Sequence, residues 1–422
     1  MRGIENDACL RLLLYSLSGT MRVSDYYCIG FQRRCNLQVG IEFIRKKDYK
    51  MIIKNGLVFT KDFKFDNLDI KIEDGVIKEV SPSGSIDEQQ GEEIVDAKGL
   101  MVIPGLTDIH FHGSVGYDFC DGSDEAITAM AKYEKSIGVT NICPATMTLS
   151  RERITKICEV AANHVQTEGE ADFVGINLEG PFISPSKCGA QNPEFVQKAD
   201  AEMIEDLLKV SKGLTKLITI APEEEGAVEV IDKLSDKITF SVGHTCAAYE
   251  DAKAAFDAGA KHVTHLFNAM PAFTHREPGV IGAAADDEKV MAEMICDGIH
   301  IHPTSIRTAF KMFGDDRIIL ISDSTRACGM PDGEYELGGL PVFLKDGAVR
   351  LKDGTLAGSG TNLFTCMVNV INFGIPKESA IKAATYNPAK AIGILENYGT
   401  IEVGKKANIV LINEKFEIKK VI

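Results

Sequence analysis

The chain has 422 residues, 45% of them hydrophobic and 25% charged, with a formal net charge of -15. The composition is that of a soluble globular protein, the negative balance argues against wholesale nucleic-acid binding, and no run approaches the roughly 20 apolar residues of a membrane-crossing helix. Eleven cysteines without a CxxC pair fit reduced thiols of a cytoplasmic protein better than a disulfide framework.

Residues 1–50 look foreign to the rest of the chain. They carry Cys9, Cys28 and Cys35, a basic end at Arg45-Lys-Lys and no clean period. Leu10 to Leu17 is apolar but short and preceded by acidic residues, a poor signal peptide. The segment reads as an extension with a mis-assigned start, and translation is expected to begin at Met51. Peptides from residues 1–50 in spectra of the natively expressed protein would overturn that.

From residue 52 the pattern becomes that of short β-strands. Ile52-Ile53, Leu57 to Phe59, Leu68 to Ile72 and Val76 to Val80 alternate, and Asn55-Gly56 and Asp74-Gly75 are expected to be hairpin turns. The far end repeats the pattern at Ala407 to Ile412 and Phe416 to Ile422. Neither end makes a core alone. Together, residues 51–103 and 387–422 predict a small β-sandwich domain, with residues 104–386 inserted between them.

The inserted part alternates strand and helix. The strand before His110 is followed by strands at Val139 to Cys143, Phe173 to Leu178, Leu217 to Ile220, Ile238 to Val242, His262 to His265, Val290 to Cys296 and Ile318 to Ile321. Helical stretches include Ile154 to Val165, Ala201 to Lys212, Ala247 to Ala258 and Ser305 to Phe313. Eight strands predict an α/β fold, a (β/α)8 TIM-like barrel of about 250 residues. An open doubly wound sheet is the runner-up, but no glycine-rich nucleotide loop follows any strand.

Barrel active sites lie at the carboxyl ends of the strands, and those ends yield a consistent set. Asp108-Ile-His110-Phe-His112 closes the first strand, Glu179 the third, His244 the fifth, His265 the sixth and Asp323 the eighth. The chain has nine histidines, and four fall at these positions, which chance does not favour. His110 and His112, two apart, point to one side. Glu179, His244 and His265 form a three-ligand set that leaves a position open on a divalent metal. His110 and His112 offer a second site with Glu179 bridging, so one or two ions per subunit are expected, zinc and iron fitting the donors alike. Such an ion activates water and polarises a carbonyl. Asp323 is positioned to take the proton and return it to a leaving nitrogen. A plain ligand role for Asp323 stays open beside that one.

From about Met51 onward the chain resembles the N-acetylglucosamine-6-phosphate deacetylase family of the amidohydrolase superfamily. The resemblance rests on Pro104-Gly-Leu-Thr-Asp-Ile-His-Phe-His-Gly, Leu178-Glu-Gly-Pro-Phe, Gly243-His-Thr, Thr264-His-Leu-Phe-Asn-Ala-Met-Pro, Arg276-Glu-Pro-Gly, Asp297-Gly-Ile-His and Ser322-Asp-Ser. It implies hydrolysis of the acetamide of N-acetylglucosamine 6-phosphate to glucosamine 6-phosphate and acetate. It also implies that Asn268 and the backbone of Ala269 contact the sugar phosphate and that His300 binds substrate. Arg276 would reach the phosphate of the neighbouring subunit, which implies a homodimer. Guanidinium and imidazole donors suit a phosphate dianion and answer how an acidic protein binds an anion. Strand four ends Thr219-Ile-Ala-Pro-Glu-Glu without a lysine, so Glu179 stands where related enzymes use a carbamylated lysine.

The other histidines read more plainly: His164 solvated on a helix, His262 structural, and His275 and His302 beside the site. Gly358-Ser-Gly-Thr is either a substrate-side loop or a simple turn, and Leu363, Met367, Val370 and Ile371 form a core stripe. Two other functions compete. One is the same reaction on N-acetylgalactosamine 6-phosphate, and the other is a non-catalytic scaffold, which the complete ligand set argues against.

Overall fold

Eight parallel strands form the centre of the computed structural model, which describes residues 50–422. They are Leu106–Asp108, Val139–Ile142, Ile176–Glu179, Thr215–Ile220, Thr239–Val242, His262–Val263, Met291–Ile295 and Ile318–Ile321. From the third to the eighth each pairs in parallel with the next. The first pairs with the second. Between second and third the ladder is split: Val139–Ile142 pairs Asp172–Phe173, and after Pro144 the short strand Ala145–Thr146 pairs Ile176–Glu179. Proline has no N–H to give a ladder, and the break falls at it.

The turn of the sheet from the eighth strand back to the first is made beyond the strand ends. Asp323 N donates to His110 O at 2.9 Å and His112 N to Ser324 O at 2.7 Å. The residues that close this side of the barrel are therefore those expected to carry its chemistry.

Helices cover the strands with their apolar faces inward. Arg151–Asn163 buries Ile154, Ile157, Cys158 and Ala161 and is capped by Ser150, whose hydroxyl accepts from Arg153 N. Ala201–Val210, Tyr249–Asp257 and Pro303–Phe313 lie within a few residues of the expected helices. Of the expected core stripe, Leu363, Met367 and Val370 are fully buried, while Ile371 is half-buried against the same core.

The two ends of the described residues meet. Strand Lys50–Phe59 pairs antiparallel with Phe65–Glu73, which pairs with Val76–Pro82, and in parallel with Glu93–Asp96 and Met101–Pro104. Met101–Pro104 pairs with Ile409–Ile412, and that strand with Ile418–Val421. The expected sandwich is thus hydrogen-bonded as one seven-stranded mixed sheet, enclosing Met51, Ile70, Ile77, Val102 and Ile409.

One local expectation is corrected. Asp74-Gly75 is a hairpin turn, both residues having positive φ, but Asn55-Gly56 is not. Lys50–Phe59 runs through it as one strand, with a register shift between Ile53 and Gly56. Ile53 lies opposite Ile70 and Gly56 opposite Leu68, so the extra residue is a bulge in this strand, and Asn55 N donates to Asp69 Oδ1 on the partner strand at 2.9 Å. A four-stranded antiparallel sheet that the sequence reading did not anticipate comes after the eighth strand: Gly333–Leu337, Leu340–Lys345, Ala348–Leu351 and Leu356–Ser359. The expectations for residues 1–49 lie outside the described residues. No helix among the described residues is long and apolar enough to cross a membrane.

Candidate active site

Each expected ligand sits at the carboxyl end of its strand, and the backbone there is bent to present it. His244, His265 and Asp323 have φ of 47°, 25° and 48°. Left-handed backbone is unfavourable for a residue with a Cβ, at a cost of about 1–3 kcal/mol each. The bend at Asp323 is held from the neighbouring four-stranded sheet, where Ser359 N donates to Asp323 O at 2.7 Å. Gly358 makes this approach possible: a Cβ there would lie 2.9 Å from Asp323 O, and its own φ is 60°. Gly358-Ser-Gly-Thr is thus the end of a strand bracing the site.

The side chains converge on Glu179. Its Oε1 lies 3.0 Å from both His244 Nε2 and His265 Nε2 and 3.3 Å from His110 Nε2, and its Oε2 lies 3.2 Å from His112 Nε2. Asp323 Oδ1 is 3.3 Å from His112 Nε2 and 3.9 Å from His110 Nε2. All six residues are buried. The set divides into two groups able to hold a cation, His110–His112–Glu179 and Glu179–His244–His265.

The donor chemistry fits metal ions. Nδ1 of His110 faces Glu293 Oε2 at 2.8 Å, that of His112 faces Ala145 O at 3.3 Å, and that of His244 faces Lys187 O at 2.8 Å. An acceptor at Nδ1 draws the ring proton there and leaves the Nε2 lone pair turned to the centre. Lone pairs facing a carboxylate, and His244 Nε2 facing His265 Nε2 at 3.1 Å, repel unless a positive charge lies among them. His110 Nε2 and Asp323 Oδ1 are moreover buried without a hydrogen-bond partner. A bound cation answers both observations.

Electrostatics follow from this crowding. Burial alone would push the Glu179 carboxyl up, but His110 and His244 hold it well below the usual carboxylate range. Burial would likewise raise Asp323, and His112 and His110 lower it instead. Burial pulls the His112 imidazole down, while Asp323 and Glu179 carry it up to about 10. The carboxylates are therefore ionised near neutrality, and a proton competes for the His112 nitrogen an ion would use.

A cavity of about 360 Å³ opens over the cluster. His112, Glu179, His244, His265 and Asp323 line it together with the expected substrate-side residues Asn268, Ala269 and His300. His300 Nδ1 donates to Asp297 Oδ2 at 2.7 Å. Arg276 is exposed, off the cavity lining, and forms no ion pair among the described residues. His275 is exposed, and His302 caps the helix Pro303–Phe313 by accepting from Thr304 N. His262 is fully buried against Ser241 Oγ at 2.9 Å. His164 departs from expectation. Its side chain is only 3% exposed, held between Asp124 Oδ1 at 2.7 Å and Glu170 Oε2 at 3.0 Å, because it ends its helix instead of facing water from it.

Two supporting residues escaped the sequence reading. Gln191 donates to Glu179 Oε2 and accepts from Thr148 N at 2.6 Å. Glu293 holds His110. The signal for Glu293 was present as one acid inside the apolar strand Met291–Ile295.

A parallel barrel with imidazoles and a glutamate gathered at its carboxyl rim has the build of a metal-dependent hydrolase. The sequence model of the amidohydrolase family matches residues 101–422, and the chain belongs to that family. It is 36% identical to the N-acetylglucosamine-6-phosphate deacetylase of Bacillus subtilis, over 87% of this chain and 94% of that protein. It is 31% identical to an N-acetylgalactosamine-6-phosphate deacetylase of Escherichia coli O157:H7, over 88% and 97%. In structure it resembles an N-acetyl-D-glucosamine-6-phosphate deacetylase mutant of Mycobacterium smegmatis in complex with N-acetyl-D-glucosamine-6-phosphate. The TM-score is 0.82 at 30% identity, covering 89% of this chain and 98% of that one.

Proposed function

We propose that this chain is a divalent-metal-dependent deacetylase that hydrolyses the acetamide of N-acetyl-D-glucosamine 6-phosphate to D-glucosamine 6-phosphate and acetate, in cytoplasmic amino-sugar metabolism. The observation that carries the proposal is the convergence of four imidazole Nε2 atoms on Glu179, with Asp323 Oδ1 3.3 Å from one of them in the wall of a sugar-sized cavity. Glu179, His244 and His265 would hold the main ion, and His110 and His112 together with Glu179 a second; zinc and iron both suit these donors. An ion bound there supplies a Lewis acid that lowers the pKa of a water towards about 7 and polarises a carbonyl.

The chain's own residues do the rest. Asp323, ionised and facing the cavity, takes a proton at a carboxylate oxygen and returns it to the leaving nitrogen. His300, with Nδ1 committed to Asp297, turns Nε2 to the substrate. Asn268 and the Ala269 backbone hold the sugar phosphate. Arg276, exposed and free of an ion pair among the described residues, serves the phosphate of a second subunit, which makes the working form a homodimer. The barrel of residues 104–386 carries this site, and residues 51–103 and 387–422 form the accessory β-domain.

The relative acting on the galactosamine epimer favours one second reading, the same chemistry on N-acetylgalactosamine 6-phosphate. One experiment separates the readings: acetate release from both phosphorylated sugars and their unphosphorylated forms, with the bound metal measured on the same sample. Release from the glucosamine derivative is expected to dominate and to need the phosphate. A preference for the galactosamine derivative installs the second reading, and no release from a metal-loaded sample rejects both.

A further inference from the structure

One buried carboxylate beside the ligands has no part in the proposed chemistry. Glu293 stands in the middle of the strand Met291–Ile295 and is fully buried. Its Oε2 accepts from His110 Nδ1 at 2.8 Å and from the backbone N–H of His265 at 3.3 Å. Its Oε1 has no hydrogen-bond partner and lies 3.7 Å from His262 Nδ1. Enclosing a carboxylate under a barrel floor is costly, and a glutamine of the same shape could accept the same bonds. What the acid adds is negative charge, delivered to one of the four clustered imidazoles and to His262 outside the cluster.

That delivery is uneven. His244 Nδ1 meets only a neutral carbonyl, as does His112 Nδ1, and His265 Nδ1 has no partner. Of the four imidazoles, His110 alone is backed by a carboxylate among the described residues. A carboxylate behind a ligand histidine fixes its tautomer, fixes its orientation and raises its basicity.

We infer that Glu293 is a positioning residue for the His110–His112–Glu179 cation site and that it makes this chain a two-ion protein. It holds His110 as the Nδ1–H tautomer, aims Nε2 at Glu179 Oε1, and strengthens that nitrogen as a donor for the second ion. The inference rests on the proposed reading only in taking the two donor groups as ion sites; it does not depend on the substrate.

The test is Glu293→Gln in the full chain, stripped by chelator and reloaded with zinc or cobalt. Ions per subunit and the affinity of each are measured, with the melting temperature of the stripped proteins as the folding control. The wild type is expected to take two ions. The variant is expected to take one at wild-type affinity and to bind the second about 10–100-fold more weakly, with the stripped melting temperature unchanged. Glu293→Ala, which removes the hydrogen bond as well, is expected to weaken the second ion at least as much. Two ions at wild-type affinity in Glu293→Gln would overturn the inference. A single ion in the wild type, or equal weakening of both ions with a lowered stripped melting temperature, would overturn it too. A two-ion wild type that released no acetate would instead refute the deacetylase reading and leave the role of Glu293 standing.

Discussion

The barrel rim and the sheet made from the two chain ends obey opposite rules. At the rim, residues with side chains adopt left-handed backbone at His244, His265 and Asp323, imidazoles face one another at 3.1 Å, and carboxylates are buried together. In the end-made sheet the strands alternate, Asp74-Gly75 turns as its residue types prefer, and the core is aliphatic. In the sheet the left-handed residues Asn55, Phe63, Asp74 and Phe416 fall at a bulge or between strands, whereas at the rim they are the clustered polar side chains themselves, and that conflict with local propensity marks where chemistry is held. The two regions should therefore fail differently: rim changes should remove activity while the fold survives, and sheet changes should lower stability while the site keeps its rate.

The largest effect belongs to the rim. Asp323→Asn keeps the shape of the side chain and removes its capacity to take a proton. The turnover number is expected to fall by between about a hundred and ten thousand fold, with metal content and melting temperature close to wild type. Turnover within a few fold of wild type at full metal content would remove Asp323 from the proton path.

The matching change in the sheet is Ile409→Ala. Ile409 is fully buried among Met51, Ile70 and Ile77, and truncating such a residue costs about 2–5 kcal/mol. Denaturant unfolding should show that loss, while the turnover number per folded molecule stays at the wild-type value. A loss of turnover without a loss of stability would mean that the sheet steers the site, against the separation of the two regions.

Most of the barrel and the His/Glu cluster at its rim were legible in the sequence, because strand periodicity locates the strand ends and histidines at those ends have few other reasons to be there. What was missed depended on partners distant in sequence. Asn55-Gly56 has turn composition, but Asp69, on another strand, makes it a bulge. His164 reads as a helix-surface residue until Asp124 and Glu170 close over it. The sheet from Gly333 to Ser359 shows its Gly-Gly and Asp-Gly turns plainly, yet a search for alternating strand and helix passes over it. Gln191 and Glu293 act only through another ligand, and no spacing rule points to such residues.

Acidity sharpens the contrast between the regions. In the rim, His112 is carried up to about 10 by Asp323 and Glu179 against the pull of burial, so below that pH a proton occupies the nitrogen an ion needs. Ion affinity should rise with pH between 6 and 9, by about tenfold per unit for each proton displaced, as competition titrations would measure. In the sheet, the hydrogen bond with Glu92 raises the Lys71 ammonium and the same bond lowers the Glu92 carboxyl. The lysine's contribution is lost only as pH rises past its raised value, and the glutamate's only as pH falls past its lowered one. Neither titrates between 6 and 9, so the sheet adds no pH dependence there, whereas the raised His112, ordinarily near 6.5, should cost the ion-free protein stability as pH climbs through that window. Ion affinity that ignored pH would show the nitrogens already free of protons.

The smallest expected effect tests whether the sheet is as tightly specified as its regularity suggests. Gly56 has ordinary φ, so its need for glycine comes from contact: a Cβ would lie 2.6 Å from Val102 Cγ2 and 3.4 Å from Ala97 Cβ. Val102 is fully buried on the neighbouring strand, paired through Val58, and has little room to retreat. Gly56→Ala should therefore destabilise by about 1–3 kcal/mol, the cost of overpacking. Val102→Ala alone also destabilises, by leaving a space. The double variant places the new methyl in that space, so its loss should fall short of the sum of the single losses by about 1 kcal/mol, within the range of contacting pairs. Additive losses would show that Gly56 is required by the backbone of the bulge and not by the side chain facing it.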